Sequence, residues 1–130
     1  MKMVSKSFTR LGMFLIVTGG LAAPLPGLAE DVAPSYKAAP DIYQLISENE
    51  NFRVILATWK PGQRDVWHSH AGPAASYRLT DCKNRAHTPD GKTQEREGKR
   101  GSVAYNPAIA SHSLENIGTS DCQVLIVERK

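Results

Sequence analysis

Three histidines constrain this chain more than any other feature: His68 and His70, one residue apart, and His112, which lies 42 positions beyond His70. Side chains alternate along a β-strand, so His68 and His70 point to the same face if residues 66–70 form a strand. A distant strand that places His112 beside them completes a set of three imidazoles. Imidazole binds zinc, copper, iron and nickel, and three protein ligands leave coordination positions open. The spacing therefore predicts a metal site that remains accessible to water or a substrate.

Short β-rich runs separated by turn signals follow one another from residue 41 to the end of the chain. Arg53–Trp59 is such a run, and it stops at Lys60-Pro61-Gly62. Thr88–Lys92 predicts a hairpin turn, because Gly91 adopts positive φ without strain. The other predicted strands are residues 66–70, 75–80, 93–97, 103–105, 110–116 and 122–128, while residues 41–47 fit either a strand or a short helix. This pattern predicts an all-β domain, either a barrel or a sandwich.

The first 29 residues have the order of a secretory signal peptide. Three cationic residues precede an apolar run at 11–23, and Gly27 and Ala29 supply the small side chains of a cleavage site ahead of Glu30. The apolar run of 13 residues is short for a membrane span. We therefore expect a secreted or periplasmic protein cleaved near Ala29, with a loose mature N-terminus at 30–40 and one domain at 41–130.

The net positive charge of the whole chain comes from its N-terminal 29 residues. The formal net charge is +3, and Lys2, Lys6 and Arg10 lie within residues 1–29. Without them, 13 of the 16 Lys and Arg residues remain, against 13 Asp and Glu residues. A mature chain of zero net charge does not have the electrostatic footprint of a nucleic-acid or membrane-surface binder, so we expect neither partner after cleavage.

Glycines, a proline and an asparagine surround the histidines at fixed spacings. In chain order these residues are Gly62, His68, His70, Gly101, Pro107, His112 and Asn116. This order resembles the two motifs of the cupin superfamily, G-x5-H-x-H-x(3,4)-E-x6-G and G-x5-P-x-G-x2-H-x3-N. The resemblance extends over about residues 40–130. It implies a single small jelly-roll β-barrel with a metal inside, and a homodimer, since small cupins often pair through their sheets.

Three positions depart from these motifs. The glutamate that usually serves as the fourth ligand falls at Ala74 or Ala75, so no carboxylate is available there. Asp81 or Cys82 replaces the closing glycine of the first motif, and Ile109 replaces the middle glycine of the second. What remains is a set of three neutral imidazoles for a divalent transition metal (Fe, Zn, Mn, Ni or Cu). The fourth histidine, His87, precedes a predicted turn and is expected to face solvent.

The two cysteines of an exported chain predict a disulfide. In the jelly roll that the resemblance implies, the strand expected to end at Cys82 and the strand that begins at Cys122 run antiparallel as neighbours. Closing a 40-residue loop stabilises a protein by about 4 kcal/mol on the chain-entropy estimate. The other interpretation, a redox pair or thiolate ligands, lacks a Cys-x-x-Cys pattern to support it.

Strand parity gives two choices for the residues that line the barrel. If Ala74 occupies the glutamate position, Ser76 and Arg78 face inward, and the Arg78 guanidinium can hold a carboxylate or phosphate. If Ala75 does, Tyr77 faces inward and Arg78 outward. We prefer the first choice and expect Ser76, Arg78 and Leu114, which shares the parity of His112, to contact a small and anionic ligand.

Two classes of function remain open at the level of the sequence. One is a metal-dependent oxygenase or isomerase that acts on a small carboxylate, because open coordination positions can activate oxygen or polarise an acid. The other is a module that binds a small ligand or a metal ion in the exported compartment without turnover. No catalytic residues beyond the three histidines have a recognisable pattern, and no nucleotide or hydrolase motif is present.

Overall fold

The computed structural model of the protein describes residues 31–130. Within that range it contains nine β-strands and one short helix. The bounds of the elements are α1 Ser35–Ala38, β1 Tyr43–Glu48, β2 Phe52–Trp59, β3 His68–His70, β4 Ala74–Arg78, β5 Cys82–His87, β6 Thr93–Gly98, β7 Val103–Asn106, β8 Ile109–Asn116 and β9 Cys122–Arg129.

The strands form two antiparallel sheets that face each other across a cavity. The order is β1-β2-β9-β4-β7 in the five-stranded sheet and β3-β8-β5-β6 in the four-stranded sheet. Strands that are distant in the chain thus become neighbours: β9 lies between β2 and β4, and β8 lies between β3 and β5. This is a jelly-roll architecture, so the expected all-β fold is confirmed.

Strands β2 and β9 supply much of the core because every second side chain is buried along residues 55–59 and 122–128. Their register pairs Ile55 with Ile126 and Ala57 with Val124, and all four side chains are buried between the sheets. Burying an isoleucine or valine side chain contributes about 1.5–3 kcal/mol. This packing holds β9 firmly beside β4, which fixes the residues that the two strands present to the cavity.

The hairpin turn predicted at Thr88–Lys92 is confirmed. The Thr88 N–H donates to the Lys92 carbonyl at 3.0 Å, and Gly91 has a φ of 81°. The turn joins β5 to β6. The sequence predicts no strand at residues 82–87, because they show no apolar alternation. The reason is that Asn84 and Ala86 face the cavity rather than the apolar core.

The predicted disulfide between Cys82 and Cys122 is confirmed, but its place in the fold differs from the expectation. The strand over residues 75–80 does run antiparallel beside the last strand, with Arg78 opposite Val124. Cys82, however, does not end that strand; it begins β5 in the other sheet. The bridge therefore joins the two sheets to each other and closes a sequence separation of 40 residues.

Residues 31–40 are held against the four-stranded sheet, whereas the sequence predicts a loose segment there. The Ser69 N–H donates to the Ala33 carbonyl at 3.0 Å, and the Ser69 hydroxyl donates to the Val32 carbonyl at 2.7 Å. Ser35 and Ala39 are buried. The segment thus accepts hydrogen bonds from the backbone and side chain of the edge strand β3. Within the described range, β3 has no other neighbour on that side.

The signal peptide predicted at residues 1–29 lies outside the described residues. Between residues 31 and 130, no helix has the length and apolar character that a bilayer crossing requires.

Candidate metal centre

Strand pairing brings the three predicted histidines together. β3 and β8 are antiparallel neighbours, and His112 stands directly opposite His68. All three side chains are buried, and one ring nitrogen from each lies within 4.8 Å of the others. The ring centroids of His68 and His112 are 4.5 Å apart, and each lies 5.2 Å from the ring centroid of His70. The cluster has the compactness that three ligands of one ion require.

Two of the imidazoles are fixed in orientation by acceptors on their Nδ1 atoms. His68 Nδ1 lies 2.9 Å from the Val66 carbonyl oxygen, and His70 Nδ1 lies 2.9 Å from Glu128 Oε2. A carbonyl oxygen accepts but never donates, and Glu128 accepts as a carboxylate, so each Nδ1 carries the proton. Each Nε2 then keeps its lone pair, which is the form that binds a metal.

His112 provides the strongest sign that the cluster is built for a cation. Its Nε2 atom is buried and has no hydrogen-bond partner among the described residues. Burial, followed by the neighbouring His68, His70 and Arg96, lowers the pKa of His112 to about 3. His112 is therefore neutral at neutral pH. A buried, unpartnered nitrogen is costly unless a ligand satisfies it.

Tyr43 and Asp65 complete the surroundings of His68. The Tyr43 hydroxyl donates to Asp65 Oδ2 at 2.7 Å and lies 3.1 Å from His68 Nε2. Asp65 also accepts from Trp59 Nε1 at 3.0 Å and from the Leu114 N–H at 2.6 Å. The Tyr43 hydroxyl is thus the neighbour of both Asp65 Oδ2 and His68 Nε2, and a metal bound at this nitrogen would replace the second contact.

Burial dominates the acid–base properties of this pair. It raises the pKa of Tyr43 well above its ordinary value, and the Asp65 charge raises it further. Burial also lowers the pKa of His68, although the nearby Asp65 charge opposes this. The phenol therefore stays protonated and the imidazole tends to neutrality. Both states suit a site in which neutral nitrogens meet a cation.

The residues present fit a divalent transition metal. Three imidazoles, of which His112 is neutral and His68 is shifted towards the neutral form by burial, form a donor set typical of Zn, Fe, Ni or Cu. His68, His70 and His112 would hold the ion. When bound, such an ion supplies a Lewis acid with open coordination positions.

A cavity of about 980 Å³ opens beside the histidines. Ser76, Arg78 and Leu114, the residues expected to contact a ligand, all line it together with His70 and His112. Tyr77 lies on the opposite face of β4 and is 44% exposed. Of the two choices of strand parity, the structure therefore has the one in which Ala74 occupies the position of the motif glutamate and Ser76 and Arg78 face inward.

Hydrogen bonds orient the polar side chains of the cavity wall. Arg78 Nη1 donates to Ser102 Oγ at 3.2 Å, and Ser76 Oγ accepts from Asn106 Nδ2 at 3.3 Å. Gly98 leaves the space that the Arg78 guanidinium occupies, since a Cβ atom there would meet it. Arg78 has no carboxylate within salt-bridge distance among the described residues. Its charge is therefore free for an anion.

The fourth histidine lies outside the cluster. His87 is 16% exposed, so the expectation that it faces solvent is wrong. Its Nε2 atom lies 3.0 Å from Glu115 Oε2.

Sequence reasoning missed Tyr43, Asp65 and Glu128, the residues that surround the histidines. Each lies outside the spacing pattern that singled out the histidines. Asp65 follows a turn and Glu128 stands near the chain end, where a polar residue is usually solvated. Only their burial in the folded protein distinguishes them.

Comparison with solved structures identifies the architecture. A cupin domain from Bordetella pertussis Tohama I superposes with a TM-score of 0.63 at 22% identity, covering 68% of this chain and 92% of the other. The chain has the cupin fold. A cupin family protein of Methanocaldococcus jannaschii, described as a double-stranded β-helix, gives 0.56 at 12% identity, covering 68% and 78%. A cupin superfamily protein of Desulfitobacterium hafniense gives 0.51 at 11%, covering 68% and 75%.

No family model and no curated protein matches the chain in sequence. At these identities the structural likeness establishes the cupin fold and leaves the chemistry to the residues of this chain. In the cupin fold of this protein the histidines lie on β3 and β8, and the cavity lies between the two sheets.

Proposed function

We propose that the protein binds one divalent transition metal through His68, His70 and His112 and presents it to a small anionic ligand in the adjoining cavity. The observation that supports this most directly is the buried, unpartnered Nε2 atom of His112 within a cluster of three histidines. Neutral ligands leave the ion its full positive charge, which favours an anion as the next ligand.

The reaction that suits such a site is oxidation or isomerisation of an organic acid. The ion would polarise the acid or activate oxygen at its open positions. The cavity of about 980 Å³ lies within the size range of small-molecule sites, and Leu114 gives it an apolar wall. We therefore propose a metal-dependent oxygenase or isomerase.

The position of Arg78 limits the shape of the acid. Arg78 stands four residues beyond Ala74 on β4, a distance of about 13 Å along the strand. Its guanidinium is turned towards Ser102 and Gly98. A ligand that reaches both the metal and Arg78 is therefore an elongated acid rather than a two-carbon one.

The alternative is capture of the ligand without turnover. Tyr43, Asp65 and Glu128, the buried polar groups next to the histidines, are all engaged in hydrogen bonds that hold the site together. That arrangement leaves none of these three groups free to act as a general base. A binding or sensing module in the exported compartment would need only the metal and the cavity.

The first experiment measures metal content by plasma mass spectrometry on protein purified without an affinity tag. His112→Ala and His68→Ala are compared with His87→Ala, a matched control because His87 lies outside the cluster. We expect about one equivalent of one metal in the parent and the control, and a loss in the other two variants. Equal metal content in all four proteins, or metal in none, contradicts the proposal.

A second measurement separates the two functions. Oxygen consumption, or conversion of a supplied carboxylate by the metal-loaded protein, supports the enzyme. A carboxylate that binds in a 1:1 ratio and is recovered unchanged supports the capture module.

We also propose that the protein is exported and dimeric. The Cys82–Cys122 disulfide favours an oxidising compartment, in agreement with a signal peptide at residues 1–29. The outer face of the five-stranded sheet carries exposed apolar side chains, which favours pairing of two copies through that face; they are Tyr77, Val103, Tyr105 and Val127.

A further inference from the structure

A buried carboxylate lies beside the position where the first cupin-like motif lacks its glutamate. Ala74 occupies that position, and its cross-strand partner on β9 is Glu128. Glu128 is 1% exposed and points to the same side of the sheet as Ala74. Directly opposite residues of antiparallel strands have Cβ atoms about 5 Å apart. A carboxylate is thus present at this level of the cavity, on the neighbouring strand.

Both oxygens of Glu128 are engaged. Oε2 accepts from His70 Nδ1 at 2.9 Å, and Oε1 lies 3.3 Å from Arg53 Nη1. The nitrogen that Glu128 contacts is the one turned away from a metal bound at His70 Nε2. Glu128 therefore acts through the imidazole and not as a direct ligand.

We infer that Glu128 is a positioning residue that orients His70 from β9, in a site whose first motif lacks its ligating glutamate. The inference rests on the metal site proposed above. A carboxylate on the outer nitrogen of a metal-binding histidine fixes the tautomer, orients the ring and raises the basicity of the ligating nitrogen. Glu128 would do this for His70.

The cost of burying Glu128 supports a role beyond packing. The other inward residues of β9 are Cys122, Val124 and Ile126, so an apolar residue would continue the pattern. Removing a carboxylate from water costs several kcal/mol, and a single ion pair rarely repays it. The pair with Arg53 offsets part of this cost, and the bond to the histidine accounts for the remaining oxygen.

The test compares Glu128→Gln with Glu48→Gln. Gln keeps the shape of Glu128 and removes its charge. Glu48 is the matched control, because its Oε2 atom also lies 3.3 Å from an Arg53 nitrogen but it makes no hydrogen bond to a histidine. The affinity for Zn²⁺ is measured by competition with a chromophoric chelator. We expect a 10- to 100-fold weaker Kd for Glu128→Gln and a change below twofold for Glu48→Gln.

The ¹⁵N NMR spectrum of the metal-free protein gives a second, independent readout. We expect His70 to hold its proton on Nδ1 in the parent and in Glu48→Gln, and to populate the other tautomer in Glu128→Gln. If Glu128→Gln does not fold, Glu128→Asp keeps the charge, withdraws it by one methylene group, and should show the same tautomer change.

The outcomes separate this inference from the proposed function. An unchanged Kd and an unchanged tautomer in a folded Glu128 variant overturn the role of Glu128 while the metal site stands. Failure of the parent to bind Zn²⁺ or any other divalent transition metal overturns the proposed function, and the tautomer then decides whether Glu128 orients His70.

Discussion

Replacing Cys82 and Cys122 together by alanine is expected to lower the free energy of unfolding by about 4 kcal/mol. The bridge closes a loop of 40 residues. The chain-entropy relation gives about 13 cal/mol/K for that length, or about 4 kcal/mol at 25 °C. The two cysteines also belong to different sheets, so in the native state the bridge ties β5 to β9 at a buried point.

Urea unfolding at equilibrium, followed by tryptophan fluorescence, measures this loss. For a domain of about 100 residues, 4 kcal/mol corresponds to a fall in Tm of about 15 to 30 °C. Dithiothreitol, which reduces the bridge, should lower the free energy of unfolding of the parent by a similar amount. The double variant has no bridge and should not respond to it. A loss below about 1 kcal/mol in the double variant would refute the reasoning, because the bridge would then not restrict the unfolded chain.

Three further predictions concern single side chains. Asn116→Ala removes one buried hydrogen bond to the Trp59 carbonyl and two partly buried ones to the turn at 117–121, and should cost about 2 to 3 kcal/mol in urea unfolding; an unchanged midpoint contradicts this. Arg78→Met should weaken binding of a dicarboxylate probe to the metal-loaded protein about tenfold by calorimetry; equal affinity removes Arg78 from the ligand site. Tyr105→Lys places a charge on the outer sheet face at a residue that is 84% exposed, and should shift a dimer to monomer in light scattering; a monomeric parent refutes the dimer.

The core strands could be predicted from the sequence because they are rich in apolar and β-branched residues. The apolar runs at residues 53–59 and 122–128 form part of a core in which Ile55 pairs with Ile126. Strand β5 could not be predicted in this way. Its inward side chains, Asn84 among them, face the cavity, and a cavity wall does not select for apolar residues. The alternation rule detects burial in a core rather than strand geometry itself.

The histidine cluster could be predicted because His68 and His70 lie one residue apart on one strand. His112 has the position that the second cupin-like motif gives to its histidine. The residues that hold the cluster could not be predicted. Asp65 follows a turn signal, and Tyr43 lies in a segment whose sequence fits either a strand or a short helix. Their hydrogen bond to each other joins positions 22 residues apart and depends on how β1 and the segment before β3 pack. Such contacts follow from tertiary structure and leave no periodic signal.

Glu128 shows why the lack of a motif residue is weak evidence against a site. In the sequence it is a polar residue near the end of the last strand, a place where glutamate is usually solvated. Only the register of β4 against β9 puts it beside Ala74 and within 2.9 Å of His70. Register between strands 54 positions apart is set by packing across the whole sheet, and a shift of one residue would turn the carboxylate to solvent. The motif glutamate would contact the metal directly, whereas Glu128 contacts the imidazole of His70, so the register supplies an orienting carboxylate and not a replacement ligand.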